Sequence, residues 1–266
     1  MCRKTIHVME IGCIIQARMG STRLPGKVLK ELETGKTCLD FIIQQLQTVF
    51  DVKDMVIATT ELEEDNVIEE FCKERGINVF RGESKNVLDR YYNCAKKFSI
   101  QNIVRITSDC PLIDPKIILE LIKNMRTGKF DYVSNALNRT FPIGLDVEIF
   151  TYHALEESWK NAKLPSEKEH VTPFIKKNSE IFKLYNLEND EDRSDVRVTL
   201  DMPEDLMLIR SVVSKIANRP VLYKDLIDLF EREPEILSIN KNIKHDGYER
   251  SLREDKTFRQ SNEDNG

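Results

Sequence analysis

The sequence predicts an α/β fold built on a mostly parallel sheet, and three observations carry that prediction. Short apolar runs alternate with helix-spaced amphipathic stretches through the first half of the chain. Glycine and proline punctuate that alternation where helices stop and start, as at Gly76 and Pro115. The basic and acidic loops fall directly after the apolar runs, at the edge where parallel sheets bind ligands.

Taken in order, Ile11 to Ala17 is a compact apolar run ending in a basic loop, Arg18 to Lys27. Cys38 to Phe50 reads as an amphipathic helix, with Leu39, Ile42, Ile43 and Leu46 at helical spacing. Met55 to Thr60 is a strand, and Asp65 to Arg75 a helix stopped by Gly76, which tolerates the left-handed conformation of a C-cap. Ile77 to Phe80 and Asn102 to Thr107 are strands flanking a helix over Asn86 to Phe98. Pro115 opens the next helix, where its missing N–H is not needed. After about residue 130 the pattern changes. Phe130 to Ser134 and Asp146 to Phe150 read as strands of altered direction, and Tyr152 to Asn161 and Glu167 to Lys177 as helices. Val196 to Leu200 is read as one more strand, followed by a helix to about Ile216 and a short one over Asp225 to Glu231. One domain is expected over residues 1–240. From Lys241 the composition is polar and charged, which predicts a loosely ordered tail over 241–266.

Composition narrows the function. With 266 residues the chain holds a sizeable core, and 40% apolar with 32% charged residues is ordinary for a globular protein. A net charge of -5 implies no general polyanion-binding surface, so nucleic acid is not expected as a partner. The N-terminus resembles neither a signal peptide nor a membrane span, and a cytoplasmic protein with no membrane partner is expected. The six cysteines have no partner two to four residues away, as a structural zinc site would require.

The most informative segment runs Ala17-Arg18-Met19-Gly20-Ser21-Thr22-Arg23-Leu24-Pro25-Gly26-Lys27. Three cations in ten residues, with two glycines and small hydroxyl residues, suit a triphosphate: the glycines admit close backbone approach and the cations offset charge. It is not a P-loop, because five residues rather than four separate Gly20 from Gly26, and Val28 follows Lys27. A basic surface loop would look the same. Ser108-Asp109-Cys110-Pro111 places an aspartate at a strand's carboxyl end, where it suits magnesium or a helix cap. Asp201, in Thr199-Leu200-Asp201-Met202-Pro203, has the same two readings. It becomes a second metal ligand only if 196–200 lies beside 103–107.

These segments together resemble the CMP-sugar cytidylyltransferases, which include the CMP-acylneuraminate and CMP-ketodeoxyoctonate synthetases. The nearest branch is the one named for spore coat polysaccharide biosynthesis protein F. Further matching stretches are Phe80-Arg81-Gly82, Val87 to Tyr91, Arg105 to Asp114, Gly144 to Glu148, Glu169 to Pro173 and Val198 to Leu206, so the resemblance spans roughly residues 10–230. It implies a Rossmann-like, three-layer nucleotide-diphospho-sugar transferase fold assembled as a homodimer, with residues 135–185 carrying dimer and acceptor contacts. It also implies CTP and a small sugar acceptor as substrates, and Mg2+ as cofactor, held by Asp109 and Asp201. Arg18, Arg23 and Lys27 would hold the triphosphate, with loop contacts from Ala17, Gly20, Ser21 and Ser108. Thr59, Thr60, Arg81 and Gly82 would read cytosine and ribose. Glu148 and His170 would touch the acceptor, although His170 equally fits a structural role. Two departures stand out: Ser108 where glycine is common, and Met202 where threonine is common; neither removes a carboxylate. A glycosyltransferase using a nucleotide sugar is the rival enzyme, but it usually shows an Asp-x-Asp pair that Asp109-Cys110-Pro111 lacks. A non-catalytic nucleotide binder is the rival outside enzymes.

Overall fold

The computed structural model describes residues 9–243 and 247–263. β1 (Met9–Gln16) runs into the basic loop, and a small hairpin of β2 (Glu31–Glu33) and β3 (Lys36–Thr37) follows. Then come α1 (Cys38–Leu46), β4 (Met55–Thr60), α2 (Asn66–Arg75), β5 (Asn78–Gly82) and α3 (Val87–Phe98). β6 (Ile100–Thr107), α4 (Pro115–Met125), β7 (Tyr132–Ser134) and β8 (Glu148–Thr151) lead into α5 (Tyr152–Asn161). The rest is α6 (Pro165–His170), α7 (Pro173–Lys177), β9 (Leu184–Asn186), α8 (Pro203–Lys215), α9 (Tyr223–Arg232) and α10 (Gly247–Glu263). No helix among the described residues is long and apolar enough to cross a membrane.

Seven strands form one sheet in the order β5-β4-β1-β6-β8-β7-β9. Only β8 runs against the others: it pairs antiparallel with both β6 and β7, whereas β5, β4, β1 and β6 pair parallel and β9 runs parallel to β7. The side-chain period of two then builds three layers. Cys13 and Ile15 of β1, Ile57 of β4 and Val104 and Ile106 of β6 enter one buried cluster with α1, α2, α4, α8 and α9. Ile14, Val56, Ala58 and Ile103, one step out of phase, enter the other with α3 and α5. The parallel register sets Gln16 opposite Ala58 and Thr107, and Thr60 opposite Gly82, so four strands end along one edge.

The helix boundaries follow local chemistry. Thr37 and Asp40 form a reciprocal capping box at the start of α1, with Thr37 N–H donating to Asp40 at 2.8 Å. Asn86 and Asp114 cap α3 and α4. Gly76 closes α2 at φ 66°.

Three expectations are corrected. The stretch read as one helix over 167–177 is two, α6 and α7. Val171 between them sits at φ 71°, ψ -52°, and Thr172 N–H donates to the His170 carbonyl at 2.8 Å. This is a γ-turn of the positive-φ kind, strained for a β-branched residue. Within the stretch read as a loose tail, residues 247–263 form a helix: α10 packs on α6, with Ser251 and Asp255 buried. Residues 196–200 are extended but form no strand, because their one ladder partner is Ile143. Val198 N–H donates to the Ile143 carbonyl at 2.7 Å, and Leu200 N–H to the Asp109 carbonyl at 2.7 Å.

That close crossing depends on Gly144, at φ 105°. A Cβ there would meet Thr199 N at 2.5 Å and the Val198 carbonyl carbon at 2.7 Å, and backbone cannot step aside as a side chain could. Gly144→Ala is expected to destabilise the protein by about 2 kcal/mol or more, combining clash with an unfavourable φ. Urea denaturation of the variant checks it, and a midpoint within error of the parent would show that 196–200 does not pack as described.

Candidate active site

The basic loop is anchored at both ends before it presents any cation. Ala17 N–H donates to the Ala58 carbonyl at 3.1 Å, continuing the sheet by one bond. Asp65, fully buried, accepts from Met19 N at 2.6 Å and Thr60 N at 3.2 Å, and from the Thr60 hydroxyl. Gly26 closes the loop at φ 64° with its N–H on the Met19 carbonyl at 3.1 Å. Leu24 and Val28 are buried, so Arg23 and Lys27 project from an anchored turn.

Lys27 is the centre of the arrangement. Its Nζ lies 3.1 Å from Asp109 Oδ2 and 3.0 Å from Asp201 Oδ1. Arg23 Nη2 reaches the other oxygen of Asp201 at 2.5 Å. Burial pulls the Lys27 ammonium down, but Asp109 and Asp201 outweigh it and leave it above an ordinary lysine. Burial pushes the Asp109 carboxyl up, and Lys27 with the Thr107 hydroxyl more than reverses that, to about 2. Asp201 is brought to this point by the Leu200–Asp109 backbone bond and by Asp205 behind it, not by strand pairing. Asp205 accepts from Asp201 N at 3.0 Å and Met202 N at 2.9 Å. It is itself fully buried and held bidentate by Arg197 at 2.9 and 2.8 Å.

Around this triad lies a cleft of about 400 Å3 along the carboxyl edge of the sheet. Of the residues singled out from sequence it collects Ala17, Arg18, Gly20, Ser21, Arg23, Lys27, Ser108, Asp109, Asp201 and His170. Arg18 is exposed and makes no ion pair among the described residues, which leaves its charge available at the mouth. Thr59, Thr60, Arg81, Gly82 and Glu148 do not line it. Thr59 and Thr60 are fully buried at the end of β4. Arg81 spends its nitrogens on the Thr60 and Leu62 carbonyls, Asn66 and Glu69. Gly82 acts at one remove: a Cβ there would press on the Arg90 Cγ at 3.2 Å, and Arg90 lines the cleft.

Glu148 sits beneath the floor. It accepts from Tyr132 OH and Thr172 Oγ1, each at 2.6 Å, from Lys176 at 3.1 Å, and from Arg105. Burial pushes this carboxyl up, but Lys176 and Arg105 together hold it well below the usual carboxylate range. Arg105 in turn reaches Gln16 Oε1 at 3.0 Å and faces the cleft.

Sequence reasoning missed Gln16, Arg90, Arg105, Thr107, Asp146 and Tyr248 as cleft residues. A signal was present for two of them. Arg105 interrupts Ile103-Val104-Arg105-Ile106, and Arg90 lies among Leu88, Tyr91 and Tyr92, so each is a guanidinium on a side that packing makes apolar.

Cations from one loop, two carboxylates sharing one ammonium, and a position at the ends of parallel strands define a nucleotidyltransferase. The cytidylyltransferase family matches residues 12–243. The chain belongs to that family. An uncharacterized protein of Methanocaldococcus jannaschii is 40% identical over 243 residues, 90% of this chain and 98% of that one. Spore coat polysaccharide biosynthesis protein SpsF of Bacillus subtilis is 34% identical over 236 residues, 85% of this chain and 96% of that one. The solved structure of a cytidylyltransferase from Leptospira borgpetersenii superposes with a TM-score of 0.83 at 38% identity, covering 89% of this chain and all of that one.

The buried Glu148 cluster makes the floor sensitive to acid. A carboxyl whose folded pKa is depressed adds stability in full above its unfolded value, about 4.3. That contribution is lost as pH falls below it. Glu148→Gln is expected to lose roughly 3 kcal/mol at pH 7, by leaving Arg105 and Lys176 without their anion. The gap to the parent should shrink between pH 5 and pH 3. Urea denaturation at the three pH values measures this, and a pH-independent gap would mean that Glu148 is not held ionised.

Proposed function

We propose that this cytidylyltransferase joins CMP from CTP to a small acidic sugar, releasing pyrophosphate, with magnesium as its cofactor. The observation that carries the reading is the Lys27 ammonium held between Asp109 and Asp201 at the sheet's carboxyl edge, beside Arg18 and Arg23.

The donor set fits the metal. Two carboxylates converge on one positive group, and no cluster of three or more His, Cys, Asp or Glu side chains suited to a metal occurs among the described residues. Magnesium takes one or two carboxylates and fills its other positions with phosphate oxygens and water. Asp109 and Asp201 would hold it, and when bound it neutralises charge building up on the phosphoryl oxygens. The chain's own cations act on the same charge. Arg18, Arg23 and Lys27 bind the triphosphate and face the oxygens that gain charge as pyrophosphate leaves, where fixed electrostatic groups have their largest effect. Ala17, Gly20, Ser21 and Ser108 supply the loop surface against which the phosphates lie. The acceptor hydroxyl attacks the α-phosphorus in line and gives up its proton to solvent water. A P–O bond to the acceptor forms as the bond to the pyrophosphate oxygen breaks.

The acceptor is assigned to the side of the cleft lined by Ile143, Gly144, Asp146 and His170. Arg105 and Arg90 on its floor support an anionic sugar, and Glu148 contributes by holding Arg105 rather than by direct contact. Thr59, Thr60, Arg81 and Gly82 support the nucleoside end from behind, by shaping the β4 and β5 edge and the seat of Arg90. The name of the Bacillus relative supports a place in surface polysaccharide synthesis. Five free, buried cysteines among the described residues suit the reducing cytoplasm. A homodimer through residues 135–185 completes the reading.

Pyrophosphate release with magnesium from each of the four nucleoside triphosphates, against a panel of acidic sugars, tests it. Release specific to CTP and dependent on one sugar acid is expected. Release from another triphosphate alone, or transfer from a preformed nucleotide sugar, would overturn it. Asp109→Ala is expected to lower turnover on the order of 10²-fold or more. A variant with near-parental turnover removes Asp109 from the chemistry.

A further inference from the structure

The family match ends at residue 243, and α10 begins at Gly247, yet this helix lies against the site. Two buried polar residues fasten it to α6. Asp255 accepts from Ser166 N at 2.9 Å and from the Ser166 hydroxyl at 2.6 Å, securing the first turn of α6. Ser251, only 3% exposed, lies 2.7 Å from His170 Nε2 and donates to Glu169 Oε2 at 2.9 Å. A carboxylate only accepts, so the hydroxyl proton goes to Glu169 and the hydroxyl oxygen is left to accept from His170 Nε2–H. Nδ1 of a neutral ring is then the nitrogen that carries the lone pair.

The first turn of α10 also reaches the cleft itself. Tyr248 lines the cleft and is 40% exposed, and its ring meets the His170 ring edge-on with centroids 5.2 Å apart. One turn and more further along, Glu254 and Phe258 wall a second cavity of about 340 Å3 that shares Arg18, Val87 and Glu169 with the first. A helix that merely braced α6 would need Asp255. It would have no need of an aromatic ring on the cleft or of a hydroxyl spent on a cleft histidine.

We propose that α10 is a working wall of the acceptor side: Ser251 fixes the tautomer and pose of His170, and Tyr248 closes the cleft beside it against the sugar. This rests on the reading of the cleft as a CTP and sugar-acid site. Ser251 is a positioning residue and Tyr248 a specificity-determining one. Both lie on a helix beyond the matched family region, where sugar preference can differ from that of relatives. The charged and titratable groups facing His170 are Glu169 on its own helix, Arg105 on β6, Glu148 on β8, Lys176 on α7 and Tyr248 on α10. Burial holds the imidazole below an ordinary histidine, which keeps it neutral near pH 7.

The test uses the full chain with Tyr248→Ala, Ser251→Ala and, as a brace control, Asp255→Asn. The probes are magnesium with CTP, and the sugar acid that supports pyrophosphate release in the panel above. Calorimetric CTP binding should stay within about twofold for the first two variants, while Tyr248→Ala raises the acceptor KM about tenfold with CTP KM unchanged. Ser251→Ala should lower kcat/KM for the acceptor. In nitrogen-edited spectra it should also replace the single Nε2–H tautomer of His170 with a mixture. Asp255→Asn should lower the melting temperature and shift both substrates together. Acceptor kinetics that match the parent in Tyr248→Ala and Ser251→Ala, with a parental His170 spectrum in Ser251→Ala, would overturn the proposal. So would losses confined to melting temperature, which would make α10 a brace alone. A parent chain that binds no CTP would instead remove the functional reading on which the proposal stands.

Discussion

One ammonium group held between two carboxylates organises this molecule. Lys27, Asp109 and Asp201 come from the loop after β1, the turn after β6 and the segment before α8, separated by 82 and 174 positions from the lysine. Two carboxylates brought this close repel each other unless a cation lies between them, so the arrangement stands only with the loop in place. On the proposed function, two carboxylates already gathered around one cation are shaped for a divalent ion and the phosphates that accompany it.

Behind that centre, two sets of buried charges hold the pieces still. Arg197 and Asp205, with Asn240 donating to Asp205 at 2.9 Å, fix the turn that carries Asp201. Glu148, gathered by Arg105, Lys176, Tyr132 and Thr172, fixes the floor of the cleft through Arg105. Of the two sets only Arg105 lines the cleft. A buried charge tolerates little displacement once its partners are satisfied, and that intolerance is transmitted to the groups resting on it.

Much of the fold was legible because local and global preferences agree in the first half. Met55 to Thr60 reads as a strand and is one, since its run is apolar, partly β-branched and cleanly bounded. Val196 to Leu200 carries the same pattern, yet its hydrogen bonds go to single residues, Ile143 and Asp109. No property of the segment itself distinguishes those outcomes. α10 was read as loose tail because its anchors, Ser251 and Asp255, are polar, and apolar periodicity does not register them. The break at Val171 was hidden for another reason: valine rarely adopts positive φ, so nothing but Pro173 marked the end of α6. At the site, the loop cations stood out by spacing, whereas the two aspartates read equally as helix caps until the family resemblance assigned them. Arg90 and Arg105 did not stand out, because a guanidinium inside an apolar run reveals its purpose only when its neighbours are known.

The reversal of one strand has a consequence for how such an enzyme diversifies. Because β8 runs antiparallel to β6, it is the loop entering β8, residues 135–147, that faces the cleft, rather than a loop leaving it. On the proposed function, the nucleotide half is written in the loops that leave β1 and β6, with the ends of β4 and β5 behind them. On the same proposal, a lineage that takes up a new sugar has only to edit the entry loop, α6 and α10. The phosphate-handling text upstream can be inherited unrevised.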